Sequence, residues 1–283
     1  MKISVIESGM FKLDGGAMFG VVPKSMWSKL NPPDDNNLCP WAMRLLLIEQ
    51  GDHKILIDTG IGTKQNEKFM SHFEPHGDDS IIRSLSAVGL TTDDITDVIL
   101  THLHFDHVGG ALKRDGEKII PTFANASYWS CEEHYNWAID PNDREKASFL
   151  KENIVPLREH GVLNFVPKKD GHQIFDNIEL FFAYGHTEAM MTPHITLPDG
   201  HKIIYCADLM PSSFHIRKPY VMSYDIRPLV TLEEREKLYA TAIQDQYYLY
   251  FEHDPVHPYG KLKQNERGRY FVDTDVIIEG ILS

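Results

Sequence analysis

Ten consecutive residues constrain this 283-residue chain more than any other stretch: Thr101-His102-Leu103-His104-Phe105-Asp106-His107-Val108-Gly109-Gly110. They follow the short β-branched run 95–100, which reads as a buried strand. Side chains alternate on a segment leaving a strand, so His102 and His104 share a side and can hold one ion. Asp106 and His107 then fall where the chain turns into a helix, and Gly109-Gly110 allow close backbone approach. Imidazole and carboxylate suit zinc and similar divalent ions, and a catalytic centre keeps one position open for water. A chance polar loop is a poor account of three imidazoles and a carboxylate within positions 102–107.

Three further candidates end apolar strands. His186 follows the run 177–183 through Tyr184-Gly185, Asp208 follows 202–206 through Ala207, and His253 follows 247–251 through Glu252. Strand ends are where the sites of layered α/β folds collect. Runs 3–11, 44–49 and 54–57 form an early β-rich group, with Gly51-Asp52 as a hairpin turn. Helical patterns lie at 80–88, ending at Gly89, and at 143–160, interrupted at Pro156 and ending at Gly161. Another runs from Thr231 to about Gln244, with Thr231 as N-cap and Glu234 completing a capping box. Strands followed by helices in both halves predict sheets covered by helices, an α/β layered sandwich. No repeat, low-complexity run or Gly/Ser linker splits the chain, so 1–283 reads as a single domain.

Hydrophobic residues make up 42% of the chain and charged residues 24%, which provides ample core material. A formal net charge of -13 repels polyanions, so nucleic acid is not an expected partner. Cys39, Cys131 and Cys206 are odd in number and far apart, which argues against both a disulfide framework and a thiolate zinc site. Glu7 interrupts the first apolar run before a signal peptide could form, and no segment approaches the ~20 apolar residues that span a bilayer. The expectation is a soluble cytoplasmic protein with no membrane partner.

Taken in order, His102-x-His104-x-Asp106-His107, His186, Asp208 and His253 resemble the ligand set of dinuclear hydrolases of the metallo-β-lactamase superfamily, over roughly residues 40–255. The resemblance implies an αββα four-layer sandwich and two divalent metal ions, with zinc the expected metal. It assigns His102, His104 and His186 to one ion and Asp106, His107 and His253 to the other, with Asp208 bridging. Asp58, in Ile55-Leu56-Ile57-Asp58-Thr59-Gly60, matches the early aspartate of that fold and would orient a ligand imidazole by accepting its free N–H. The implied reaction is attack of a metal-bridging hydroxide on an ester carbonyl. Asp106 or a water then returns a proton to the leaving alkoxide, so Asp106 and Asp208 are the catalytic candidates.

A second resemblance narrows the substrate. Gly15-Gly16-Ala17-Met18-Phe19-Gly20-Val21-Val22-Pro23-Lys24, followed by Trp27, is similar to the start of quorum-quenching N-acyl homoserine lactone lactonases. Organophosphate hydrolases of the methyl-parathion type share a looser version. The runs 209–211 and 219–225 resemble the same lactonase branch. A small lactone or ester is therefore the implied substrate, with a phosphotriester as the alternative, and a homodimer is an arrangement the resemblance allows. Met18, Phe19, Met26 and Trp27 read as a flexible apolar wall for an acyl chain. Met210 and Phe214, with Met190 and Met191, lie in sequence beside metal-ligand candidates. Some family lactonases place a tyrosine three residues after the bridging aspartate, where this chain has Pro211. Tyr220, Tyr224 and His215 are the candidates to bond the substrate carbonyl instead. A thioester hydrolase of the glyoxalase II kind shares the ligands but normally carries a basic C-terminal patch. A binding protein that kept the fold would have lost ligands, and this set is complete.

Overall fold

The β-rich run that begins at Ile3 forms the first strand, β1 (Lys2–Asp14), which buries Ile3, Ile6, Phe11 and Leu13. Short helices α1 (Gly15–Phe19) and α2 (Lys24–Trp27) lead to a second long strand, β2 (Leu38–Gln50). The computed structural model describes residues 1–278 and the backbone of 281–282. Its contacts divide into two units, one holding Met1–Gly9 and Met43–Lys168, the other Met10–Ala42 and Lys169–Ile278. The chain passes between them within β1 and β2.

The first unit continues through β3 (His53–Ile57), α3 (Glu67–Met70), α4 (Ile81–Ala87), β4 (Asp97–Ile99) and α5 (Phe105–Val108). A hairpin of β5 (Leu112–Asp115) and β6 (Lys118–Pro121) follows, then β7 (Ser127–Cys131), α6 (Glu132–Ile139), α7 (Lys151–Glu159) and β8 (Leu163–Val166). Gly51-Asp52 closes the hairpin between β2 and β3, with Gln50 opposite His53. Strands β3, β4, β7 and β8 are mutually parallel. Parallel strands are covered on both faces and so read as continuous apolar runs. Leu45, Leu47, Leu56, Val98, Leu100 and Tyr128 accordingly form part of one buried cluster. Helix α4 starts at Ser80, whose side chain accepts from the Arg83 N–H, as the sequence predicts. The helix expected over 143–160 begins only at Lys151. Asn142 Oδ1 accepts from the N–H groups of Arg144 (2.9 Å) and Glu145 (3.2 Å), holding 143–148 in turns. Pro156 lies inside α7 without ending it.

The second unit contains β9 (His172–Phe175), β10 (Ile178–Ala183), β11 (Met190–Thr196), β12 (Lys202–Tyr205), α8 (Pro228–Gln244), β13 (Tyr248–Tyr250), β14 (Tyr259–Gln264) and β15 (Tyr270–Asp273). These strands form a mixed sheet in order β15-β14-β13-β12-β11-β10-β9, parallel only between β12 and β13. The last strand, β16 (Ile281–Leu282), pairs with β1 to complete the other mixed sheet, β16-β1-β2-β3-β4-β7-β8. Ile204, Cys206, Tyr239, Ala242, Leu249 and Phe251 share a buried cluster in the second unit. Helix α8 corrects the capping expectation. It opens at Pro228, where a missing N–H costs nothing, so Thr231 lies inside the helix and is buried rather than capping it. All three cysteines are buried free thiols, and burial pushes Cys39 up to about 12 and Cys131 up to about 11. Among the described residues no helix is long and apolar enough to cross a membrane.

Candidate metal centre

The first donor group lies where β3 and β4 end. Asp58 is buried with φ +60, a left-handed backbone that costs a β-substituted residue about 1–3 kcal/mol. Its carboxylate accepts three hydrogen bonds that hold it there. Oδ1 accepts from the Thr101 N–H at 2.8 Å, and Oδ2 accepts from Thr101 Oγ1 at 2.6 Å and from His107 Nδ1 at 3.1 Å. With Nδ1 carrying the proton, His107 keeps the Nε2 lone pair for a ligand, the role expected of Asp58. The His107 carbonyl accepts from both the N–H and Oγ1 of Thr59. Gly109 and Gly110 make this approach feasible, because a Cβ at either would lie 2.1 Å from the carbonyl oxygen of Ile61 or Thr59 respectively.

His102, His104, Asp106 and His107 are all buried. The His102 ring centroid lies 4.6 Å from that of His104 and 3.8 Å from that of His107. Donor atoms of His102 and His104 fall within 4.8 Å of one another, as do those of Asp106 and His107. Two supporting residues were not foreseen. Buried His134 on α6 accepts the Leu103 N–H on Nε2 at 2.8 Å, fixing the backbone between the two histidines. Buried Glu145 places Oε1 3.8 Å from His104 Nε2, while its Oε2 accepts from Trp137 Nε1. Neither residue sits in a motif, so no sequence signal points to them.

The second donor group belongs to the other unit. His186 lies in the turn after β10, with Nε2 3.0 Å from Asp208 Oδ2 and Nδ1 2.9 Å from Asp225 Oδ1. Asp225 Oδ2 in turn accepts from Thr231 Oγ1 at 2.7 Å. Glu234 accepts from the N–H groups of Tyr184 (2.7 Å) and Gly185 (3.1 Å), just ahead of His186. The presumed capping pair of α8 thus anchors the His186 loop. Burial alone would pull the His186 imidazole down, but Asp208 and then Asp225 outweigh it and carry it up to about 10. Positive charge is strongly favoured at this spot. Asp208 sits in a short 3-10 turn after β12, behind Ala207 at φ +44. His253 donates from Nδ1 to the Ala42 carbonyl at 2.8 Å, which leaves Nε2 3.3 Å from Asp208 Oδ1. One oxygen of Asp208 therefore faces each imidazole, the disposition of a bridging carboxylate. Both groups are buried imidazole and carboxylate donors, with Nδ1 of His107, His186 and His253 held by hydrogen bonds, and they fit divalent ions.

The expected substrate wall lies mostly inside the second unit. Phe19 stacks on His215 (5.0 Å, 4°) and Trp27 (5.4 Å, 13°) and meets Tyr220 edge-on (6.0 Å, 88°). Met18, Phe19, Trp27, Met210, His215 and Tyr220 are buried, Phe214 is half-buried, and Met26 is exposed. His215 donates from Nε2 to the Met18 carbonyl and accepts from Ser212 Oγ, and burial, helped by Arg235, holds it neutral at about 3. Buried Arg235 donates to the carbonyls of Leu209, His215 and Tyr220, tying this segment together. An apolar patch beside the donors went unread in the sequence. Phe105, between His104 and Asp106, packs against half-buried Phe73 (4.4 Å) and Phe69 (5.3 Å). Its position inside the metal motif was the available signal.

Comparison with known proteins fits this chemistry. The metallo-beta-lactamase superfamily model matches residues 45–253, a span that includes all seven donors. An N-acyl homoserine lactonase of Bacillus thuringiensis is 24% identical over 242 residues, covering 81% of this chain and 87% of that protein. A probable metal-dependent hydrolase from Staphylococcus aureus superposes with a TM-score of 0.86 at 28% identity, covering 97% of this chain and 98% of that one. AidC, a dizinc quorum-quenching lactonase solved with a product, reaches a TM-score of 0.78 at 18% identity, over 97% of this chain and 94% of that one, a likeness of fold. The chain belongs to the metallo-β-lactamase superfamily, with its α/β fold of two mixed sheets, and is a metal-dependent hydrolase.

Proposed function

We propose that this protein opens the ester bond of lactones, N-acyl homoserine lactones among them, at a centre of two divalent ions, zinc by preference. The observation that carries the dinuclear reading is Asp208, with one carboxylate oxygen toward His186 and the other toward His253. In this reading His102, His104 and His186 hold one ion, Asp106, His107 and His253 hold the other, and Asp208 serves both. Bound divalent ions supply Lewis acidity and an acidified water. The chain's own residues do the rest. Asp58 and Asp225 fix the tautomers of His107 and His186. Asp106 takes up the proton released as the attacking water adds to the carbonyl and returns it to the departing alkoxide, or a water does so in its place. The similarity to lactonases supports the substrate class, and the Phe69–Phe73–Phe105 patch offers an acyl chain an apolar surface. A cytoplasmic location and a homodimer belong to the same proposal.

Hydrolysis of a panel of acyl homoserine lactones, simple lactones, aryl esters and a phosphotriester tests it. KM should fall with acyl length, since two more enclosed CH₂ groups are worth roughly tenfold. Phe105→Ala should flatten that trend while sparing a small unacylated lactone. Efficient cleavage of the phosphotriester with every lactone left intact would overturn the substrate assignment.

A further inference from the structure

Acidic residues outnumber basic ones in this chain by 41 to 28, so a concavity lined by cations and no acids has an unusual local charge. One of 610 Å³ lies in the second unit, between residues 217–220 and the β14–β15 hairpin. Arg217, Lys218 and Arg269 line it, no Asp or Glu does, and none of the metal donors takes part. Lys218 is committed to Glu236 at 2.5 Å. Arg217 lies over the Tyr220 ring at 5.8 Å, and among the described residues neither Arg217 nor Arg269 has a carboxylate partner. Gln264 and Asn265 add uncharged polar groups, and the apolar part of the wall is open. Met26 is 50% exposed and Phe271 44%, and half-buried Tyr270 lies with its ring centroid 5.7 Å from Lys218 Nζ. Large apolar side chains left in water beside a polar rim mark a binding site, and methionine adapts to flexible chains. Guanidinium groups favour a planar oxyanion, which they can grip with two hydrogen bonds. Glu236 close by disfavours a dianion.

We infer that this pocket binds an amphiphilic carboxylate, a fatty-acid-like monoanion. Its head group meets Arg217 and Arg269, and its chain lies along Met26, Tyr270 and Phe271. The volume falls within the usual range for small-ligand sites. The site shares no residue with the donor groups or the Phe105 patch, and Met26 and Tyr220, substrate-wall candidates by sequence, line this cavity.

Calorimetric titration of the metal-loaded protein with dodecanoate tests the inference. Saturable one-site binding is expected, with dodecanol binding far more weakly. Arg217→Ala and Arg269→Ala should each weaken dodecanoate roughly tenfold, the scale of a hydrogen bond to a charged group, while leaving ester hydrolysis unchanged. Dodecanoate should also slow amide exchange over 217–220 and 264–271. Absence of saturable binding, binding indifferent to both substitutions, or binding only to phosphatidylglycerol vesicles would each overturn it. Both arginines are exposed, so the variants test binding rather than folding.

Discussion

Thr231 donates to Asp225, and Asp225 holds the Nδ1 of His186, so a hydroxyl outside the donor groups sets the aim of a candidate ligand. Thr231→Val keeps the shape and removes the donor. It should cost roughly 10–100-fold in metal affinity or activity, read as metal retained against a weak chelator and as kcat/KM. Retention equal to wild type would show that Asp225 needs no such support. Asp58 has a different kind of burden, because its carboxylate satisfies the buried N–H and hydroxyl of Thr101 as well as His107. Asp58→Ala leaves those groups without their acceptor and should lower folding stability by about 1–3 kcal/mol for each. Asp208→Asn should abolish hydrolysis nearly completely with a smaller change in Tm. Thermal melts and turnover of the two variants, compared side by side, check that ordering.

Helix α8 acts on the site through the backbone. Glu234 on its second turn accepts the N–H groups of Tyr184 and Gly185, and burial raises its carboxyl above the usual carboxylate range while those bonds pull the other way. Glu234→Ala should loosen the His186 loop and release metal more readily, whereas Glu234→Gln, which keeps one acceptor oxygen, should fall between. Amide exchange at 184–186 would show the loosening directly, and unchanged protection in the alanine variant would remove α8 from this role. At the other donor group the contact is steric. Gly110→Ala drives a Cβ against the Thr59 carbonyl, so a Tm loss is expected without any change in the donor side chains.

Over the whole molecule, the pH dependence of stability carries a signature of Lys64. Its ammonium is buried against the Gly109 carbonyl, and burial lowers it to about 7. The unfolded chain returns it to its ordinary value near 10.5. Between those values the unfolded state binds the extra proton, so stability from this group rises with pH, by up to about 1.4 kcal/mol per pH unit. Below about 7 both states are protonated and the cost of the buried charge is constant. Urea unfolding of the wild type and of Lys64→Met at pH 7 and pH 9 should therefore diverge, with the wild type gaining relative to the variant at the higher pH. Parallel behaviour would mean that the ammonium reaches water in the folded state.

The sequence by itself determined the donors and the strands that deliver them. His102, His104, Asp106 and His107 are adjacent in the chain, and the apolar runs before them, and before His186, Asp208 and His253, declare strands through local periodicity. Gly109-Gly110 and Asp58 were legible for the same reason, since each belongs to a contiguous motif. Only the tertiary structure decided what holds those donors in place. Thr231 and Glu234 have the spacing of a capping box, but Pro228 already starts the helix, and the two side chains bond Asp225 and the Tyr184–Gly185 backbone instead. His134 and Glu145 support the histidine loop from α6 and the turn before α7, and Phe69 and Phe73 reach Phe105 from α3 and the turn after it. Phe19 and Trp27, apolar in sequence and available for a pocket wall, are stacked into an aromatic core with His215. A donor's chemistry is a property of its own residue. Its orientation depends on which buried N–H, hydroxyl or carboxylate lies within hydrogen-bond reach, and that neighbour comes from elsewhere in the chain.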